Sequence, residues 1–84
     1  MSCINVMFNR NGSFIMMQAT SNMMWAELAL KYTQKVGINV ERDQPKFIFN
    51  SAELVIDSCK ELSELGIRDS SRIEVVLGKD IIGA

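Results

Sequence analysis

The chain has 84 residues, of which 48% are hydrophobic and 23% are charged, and its formal net charge is −1. This length suits one domain, and no apolar run approaches the roughly 18–20 residues that a membrane span needs. Charges of both signs are interspersed, whereas a nucleic-acid-binding domain usually has a basic face and a high pI. We therefore expect a globular domain with neither a nucleic-acid nor a membrane partner.

The N-terminal segment predicts an antiparallel hairpin. Apolar side chains alternate with their neighbours in both halves of this segment, at Ile4, Val6, Phe8, Ile15, Met17 and Ala19. Such alternation is typical of strands that bury one face. Asn11-Gly12 lies between the two runs, and this dipeptide tolerates the positive φ angles of a two-residue hairpin turn.

A long helix is predicted from about Asn22 to Val36. The run Thr20-Ser21-Asn22 supplies preferred N-cap residues, and Gly37 suits a left-handed cap at the other end. Between these signals, apolar residues recur at helical spacing and form one stripe. The stripe consists of Trp25, Leu28, Ala29, Tyr32 and Val36.

The second half of the chain predicts three further strands and one short helix. In order, we expect a polar loop at 39–44, a strand at 46–49, a turn at 50–51, a brief strand at 54–56, a short helix at 58–66 and a last strand at 72–77. The short helix depends on a capping box from Ser58 to Glu61 and on Gly66 as its end. Because local hairpins cannot join all these strands, the first and last strands must be parallel neighbours.

This ordered set of elements resembles the ubiquitin-like family. The matching residues are Lys46, Phe47, Ile48, Phe49, Leu54, Leu62, Leu65, Ile67, Ser71, Ile73, Val75, Val76 and Leu77, and the resemblance runs from Ile4 to about Leu77. It implies an α+β fold of the ubiquitin-like β-grasp type, in which a mixed four- to five-stranded sheet packs on one main helix with a short second helix. We expect residues 1–79 to form the domain and residues 80–84 to form a flexible C-terminal tail.

Residues for catalysis or metal binding are scarce. The chain has no histidine, so it cannot build a Ser-His or Cys-His nucleophile. Cys3 and Cys59 are too few and too distant for a zinc site, and no glycine-rich phosphate loop is present. We interpret both cysteines as reduced, partly buried thiols, with a Cys3–Cys59 disulfide or a catalytic thiol as alternatives. We expect a protein that is not an enzyme and needs no metal or cofactor.

The N-terminal sequence and the small number of cysteines favour an intracellular protein. The first residues lack the basic start and long hydrophobic core of a secretion signal, and small secreted domains usually carry more cysteines than two. We therefore expect the protein in the cytoplasm or the nucleus. We also expect it to be a monomer.

Outward-facing residues on two strands predict a protein-binding surface. Ile48 and Val76 are apolar residues on the predicted water-facing side of the sheet, and their strands should be neighbours. Lys46, Arg72 and Glu74 would surround them as a polar rim. Exposed apolar groups within a polar rim mark a protein contact, although single exposed apolar residues are also normal.

The resemblance adds an expectation about this surface. Ile48 and Val76 align with two members of the apolar patch through which ubiquitin is bound by its receptors. Phe8 is the candidate for the third member, although its alternation places it on the inward face. Glu74 lies where ubiquitin has a histidine, which implies a different set of partners.

We expect a non-catalytic ubiquitin-like protein-interaction domain, part of a larger protein, whose partners are proteins of the ubiquitin-pathway or ubiquitin-receptor type. The alternative is a ubiquitin-like modifier that is joined to targets through Gly83 after processing, and a sulfur-carrier protein is a third possibility. Both conjugating functions use a Gly-Gly end, whereas this chain reads Gly83-Ala84. Ala52 and Asp69 also replace two lysines that form polymer chains in ubiquitin.

Overall fold

The computed structural model describes residues 3–78 and shows one mixed sheet. The elements are β1 (Cys3–Arg10), β2 (Ser13–Thr20), α1 (Trp25–Val36), α2 (Val40–Asp43), β3 (Lys46–Phe49), β4 (Ala52–Leu54) and β5 (Arg72–Val76). The five strands lie in the order β2-β1-β5-β3-β4. Only β1 and β5 pair in parallel, and the other neighbours pair in antiparallel fashion. The predicted α+β class and the parallel pairing of first and last strands are confirmed.

Left-handed backbone conformations fall at the predicted turns. Asn11 and Gly12 have φ angles of 51° and 81°, as the two-residue hairpin turn requires. Gly37 has φ 78° and ends α1. Asn50 and Ser51 join β3 to β4 with φ angles of 51° and 66°, so a serine occupies a conformation that glycine adopts more easily.

The start of α1 differs from the prediction. The helix begins at Trp25, and its N-cap residue makes no side-chain hydrogen bond. Instead, the Trp25 N–H donates to the Lys60 carbonyl over 2.9 Å, and the Ala26 N–H donates to the Ser58 carbonyl over 3.3 Å. A distant loop therefore satisfies donors that a side chain usually caps, and the N-cap predicted within Thr20-Ser21-Asn22 is wrong.

The short helix also lies elsewhere. Residues 62–66 form turns rather than a helix, so the helix predicted at 58–66 is wrong. The segment predicted as a polar loop instead contains α2. Its N-cap is Asn39, whose side-chain oxygen accepts from the Arg42 N–H over 2.9 Å. Asp43 in turn accepts from the Asn39 N–H over 3.1 Å, so a side-chain hydrogen bond links the last residue of α2 to its N-cap.

Aromatic rings form the centre of the core between the sheet and α1. Phe8 and Tyr32 stack with ring centroids 4.2 Å apart and an interplanar angle of 13°. Phe47 meets the Trp25 ring edge-on, with centroids 5.3 Å apart. Leu28, which is also fully buried, belongs to the same cluster. Strands on both sides of β5 thus contribute to one core.

The core agrees with the apolar alternation at most positions. The predicted core consists of Ile4, Val6, Ile15, Met17, Trp25, Leu28, Tyr32, Phe47, Leu54, Leu62, Ile67, Ile73 and Val75. Three of these positions, Ile15, Met17 and Leu54, are only partly buried. The remaining predicted core positions are buried: Ile4, Val6, Trp25, Leu28, Tyr32, Phe47, Leu62, Ile67, Ile73 and Val75. Further buried residues are Phe8, Ala19, Ala29, Ile38 and Leu77.

Candidate protein-binding face

One face of the sheet is directed away from α1. Because side chains alternate along a strand, residues between the core positions of β1, β2, β3 and β5 lie together on this face. We call it the outer sheet face. Its residues are Asn5, Met7, Asn9, Phe14, Met16, Gln18, Lys46, Ile48, Arg72, Glu74 and Val76.

The predicted pair Ile48 and Val76 lies on the outer sheet face. Ile48 is opposite Glu74, and Val76 is opposite Lys46. The two apolar residues are therefore diagonal neighbours, a relationship that separates them by about 7–8 Å. Both are partly buried, whereas Lys46, Arg72 and Glu74 are exposed. We call Ile48 and Val76 the β3–β5 patch.

A second apolar patch lies on the other side of the same face. Phe14 and Met16 are each 54% exposed, which is more than usual for large apolar side chains. Met16 is opposite Met7 of β1. We call these three residues the β1–β2 patch. The sequence analysis did not propose this patch, although the alternation that placed Ile15 and Met17 inward also places Phe14 and Met16 outward.

A polar strip separates the two patches. Arg72 is opposite Met7, and Glu74 is opposite Asn9. The Asn9 side-chain nitrogen donates to Glu74 Oε2 over 2.9 Å. Met7 and Val76 lie on the neighbouring strands β1 and β5, but Val76 is four residues beyond Arg72, the residue opposite Met7, so about 13 Å along the strands separates the two patches at this point. A partner must cross this polar strip to touch both patches.

Phe8 does not belong to the outer sheet face. Its side chain is 0% exposed and stacks on Tyr32 in the core. The proposal that Phe8 is a protein-binding residue is therefore wrong, and the reason is the inward phase of Phe8 in β1. The exposed aromatic side chain near the hairpin is Phe14 of β2.

The other candidate residues lie away from this face or outside the described part. Gly83 and Ala84, like the whole predicted tail at 80–84, lie outside residues 3–78. Cys3 and Cys59 carry free thiols, so the alternative of a Cys3–Cys59 disulfide is not realised. Both are exposed, so the prediction that they are partly buried is wrong. Burial raises the pKa of Tyr32, and the positive charge of Arg10 partly opposes this rise.

None of the helices within residues 3–78 has the length and apolar character that crossing a membrane requires.

Comparisons with known proteins support the fold alone. No protein-family model matches the sequence, and a search of curated proteins finds no match. Among solved structures, the ubiquitin-like domain of the Arabidopsis thaliana protein At2g32350 superposes with a TM-score of 0.78 at 21% identity, over 92% of this chain and 79% of that one.

A second solved structure, ATBAG1 in complex with HSP70, superposes with a TM-score of 0.74 at 22% identity. The match covers 88% of this chain but only 40% of the ATBAG1 chain. The chain has the ubiquitin-like β-grasp fold.

Proposed function

We propose that this chain is a non-catalytic ubiquitin-like domain that recruits other proteins through the outer sheet face. The observation that carries the proposal is the exposure of Phe14 and Met16, each 54% accessible, on the same sheet face as Ile48 and Val76. Large apolar side chains exposed together mark interaction sites. A ubiquitin-like fold is generally non-enzymatic, and the absence of histidine removes the commonest general base.

The charges of the polar strip favour a partner that presents a carboxylate. Glu74 is already bonded to Asn9, whereas Arg72 makes no ion pair within residues 3–78. A partner carboxylate placed opposite Arg72 would form an ion pair with its guanidinium. A receptor that matches the histidine of ubiquitin would instead meet the Glu74 carboxylate, which favours a partner set different from that of ubiquitin.

The partners we propose are proteins of the ubiquitin-pathway or ubiquitin-receptor type, bound in the cytoplasm or the nucleus by a monomeric domain of a larger protein. The similar region occupies 40% of the ATBAG1 chain, and that structure contains HSP70. This supports a domain that belongs to a longer protein with protein partners. The alternative of a modifier joined through Gly83 gains no further support, because Gly83 lies outside the described residues.

The test compares three variants with a purified partner. Partners are first captured with the wild-type chain, and each is then purified and titrated. We expect Ile48→Ala with Val76→Ala, and separately Phe14→Ser with Met16→Ser, to weaken binding by about 1–3 kcal/mol each. Leu30→Ser is the matched control, because Leu30 is 51% exposed on α1.

Chemical-shift mapping with the same partner gives a second readout. We expect perturbed amides on β1, β2, β3 and β5. Shifts confined to α1 around Glu27, Lys31 and Lys35, together with a loss of binding in Leu30→Ser alone, would show that the helix face binds the partner and that the proposal is wrong.

A further inference from the structure

β2 is an edge strand of the sheet, with no described strand on its outer side. It spans Ser13–Thr20, and every one of these residues pairs with a residue of β1 in an uninterrupted register. The strand contains no charged residue, no proline and no glycine. Folded proteins usually protect an edge strand with charges, proline, bulges or a short length. β2 has none of these protections.

The opposite edge of the sheet is better protected. β4 is short, at Ala52–Leu54, and its central residue is the exposed Glu53. Both features discourage the addition of a further strand. Pairing of β2 in one copy with β4 in the next would build an open, head-to-tail assembly, and the protected β4 disfavours it. β2 is therefore the edge at which a strand can be added.

The hairpin turn determines which backbone groups of β2 are directed outward. Both residues of this turn have positive φ angles, and such a turn closes with a hydrogen bond between its flanking residues, Arg10 and Ser13. Hydrogen-bonded and non-hydrogen-bonded pairs alternate along an antiparallel ladder, so Phe14, Met16 and Gln18 form pairs of the second kind with β1. Their N–H and C=O groups point to the free edge, and no other element within residues 3–78 bonds to them.

The apolar side chains of β2 are also incompletely covered. Ile15 and Met17 have the inward phase, yet both are only partly buried against the core. Phe14 and Met16 have the outward phase and are each 54% exposed. A further strand beside β2 would cover part of all four side chains, and removal of apolar surface from water favours association.

We propose that a second copy of this chain pairs with β2 through its own β2, in antiparallel orientation, so that two sheets become one continuous sheet. The occupant is a second copy because β2 is complementary to itself. Pairing Met16 with Met16 of the second copy places Phe14 opposite Gln18, so all the outward N–H and C=O groups of these residues find partners. The same register places Ile15 opposite Met17, an apolar pair on the inward side of the sheet.

Charge does not oppose this pairing. Like charges directly opposite each other destabilise a strand pair, but Ser13–Thr20 has no charged residue that would meet its own copy. Because the same surface is used by both copies, the assembly closes as a two-fold dimer. The dimer goes beyond the proposed function, and the monomer described there is the other state of one concentration-dependent equilibrium.

Sedimentation velocity of the full chain, from low-micromolar to near-millimolar concentration, is the first measurement. We expect the mean mass to rise with concentration towards twice that of the chain. Met16→Lys places two like charges opposite each other at the two-fold axis and should weaken the dimer about tenfold. Leu30→Lys is the matched control, because Leu30 is 51% exposed on α1, and this variant should dimerise like the wild type. Equal weakening by the two variants would contradict a contact at β2.

Gln18→Pro tests the backbone hydrogen bonds rather than the side chains. Proline lacks the N–H that Gln18 directs to the free edge, and proline is tolerated where an edge strand turns its N–H side to solvent. We expect this variant to stay monomeric while it keeps a cooperative urea transition, which shows that the domain is folded. If Gln18→Pro does not fold, the comparison of Met16→Lys with Leu30→Lys still decides the question.

Intermolecular NOEs locate the contact in a mixture of ¹³C-labelled and unlabelled chains. We expect an NOE between Ile15 Hα and Met17 Hα of the second copy, because the Cα atoms of a non-hydrogen-bonded pair approach closely. A wild-type chain that stays monomeric throughout would overturn the proposal and leave the edge to a segment of a different protein. A dimer that persists in Met16→Lys and shows NOEs between β3–β5 patches would also overturn it, in favour of stacked sheet faces.

Discussion

The Asn9 side-chain amide donates a hydrogen bond to Glu74 over 2.9 Å and ties the first strand to the last on the outer sheet face. The two residues are also paired in the parallel β1–β5 register. This bond directs the Glu74 carboxylate from β5 towards β1. Arg72, two residues earlier on β5, makes no ion pair within residues 3–78, so it is the freer charge of the polar strip.

We expect Arg72→Glu to slow association with a partner of the outer sheet face. Reversal of a rim charge changes the association rate and its salt dependence more than the contacts made after docking. Association rates measured at low and high ionic strength should differ less for Arg72→Glu than for the wild type. Lys31→Glu on α1 is the control, and an equal effect of that variant would contradict a specific role for Arg72.

Leu28→Ala should destabilise the domain by about 2–5 kcal/mol, because it removes a side chain from the close-packed core. Leu28 is 0% exposed, whereas Leu30 in the same helix is 51% exposed. Leu30→Ala should therefore change stability by less than about 0.5 kcal/mol. Urea unfolding measures both. Similar losses for the two variants would contradict the orientation of α1.

Much of the fold could be predicted because apolar periodicity is a local signal. The alternation around Asn11-Gly12 predicted β1 and β2, and the stripe from Trp25 to Val36 predicted α1. The errors arose where distant groups decide the local structure. The N-terminus of α1 is satisfied by the Lys60 and Ser58 carbonyls, so no capping side chain is needed and the Thr20-Ser21-Asn22 signal was misleading.

The position of the short helix was missed for a related reason. The sequence analysis predicted a polar loop at 39–44, although asparagine is a preferred N-cap residue. The structure forms α2 there, because Asp43 is buried and accepts from the Asn39 N–H and from Arg42. That burial depends on tertiary packing, which periodicity does not reveal.

The position of the outer sheet face residues was predicted in part, and their binding role stays a prediction. The phase of β3 and β5 placed Ile48 and Val76 on one face, which the register confirms. The same phase places Phe14 and Met16 of β2 on this face, whereas the resemblance indicated only β3, β5 and Phe8. The bond between Asn9 and Glu74 depends on the β1–β5 register, which the sequence predicted only as a pairing.

Ser51→Gly should stabilise the domain by about 0.5–1 kcal/mol. Ser51 has φ 66°, a left-handed conformation that costs a residue with a Cβ about 1–2 kcal/mol. Glycine removes this strain but gains freedom in the unfolded chain. Ser13→Gly at the start of β2 is the matched control and should destabilise. Thermal or urea unfolding distinguishes the two, and stabilisation by both would contradict the argument from φ.

The stability of the domain should fall at alkaline pH through Tyr32. Burial raises the pKa of Tyr32, with a smaller opposing effect of Arg10. Below the ordinary pKa of about 10, the phenol is neutral in both states and its contribution to stability is fully present. Above it, the unfolded chain releases the proton first, so stability is lost as pH rises through the folded pKa.

Tyr32→Phe isolates this effect, because it removes the phenol while keeping the ring that stacks on Phe8. Urea midpoints are measured for both chains from about pH 8 to pH 11.5, and the difference between the chains is taken at each pH. The difference between the chains should be constant up to about pH 9 and then change in favour of Tyr32→Phe. Arg10→Gln should raise the Tyr32 pKa further and increase the alkaline loss. Parallel curves for wild type and Tyr32→Phe across the whole range would show that the phenol does not titrate differently on folding.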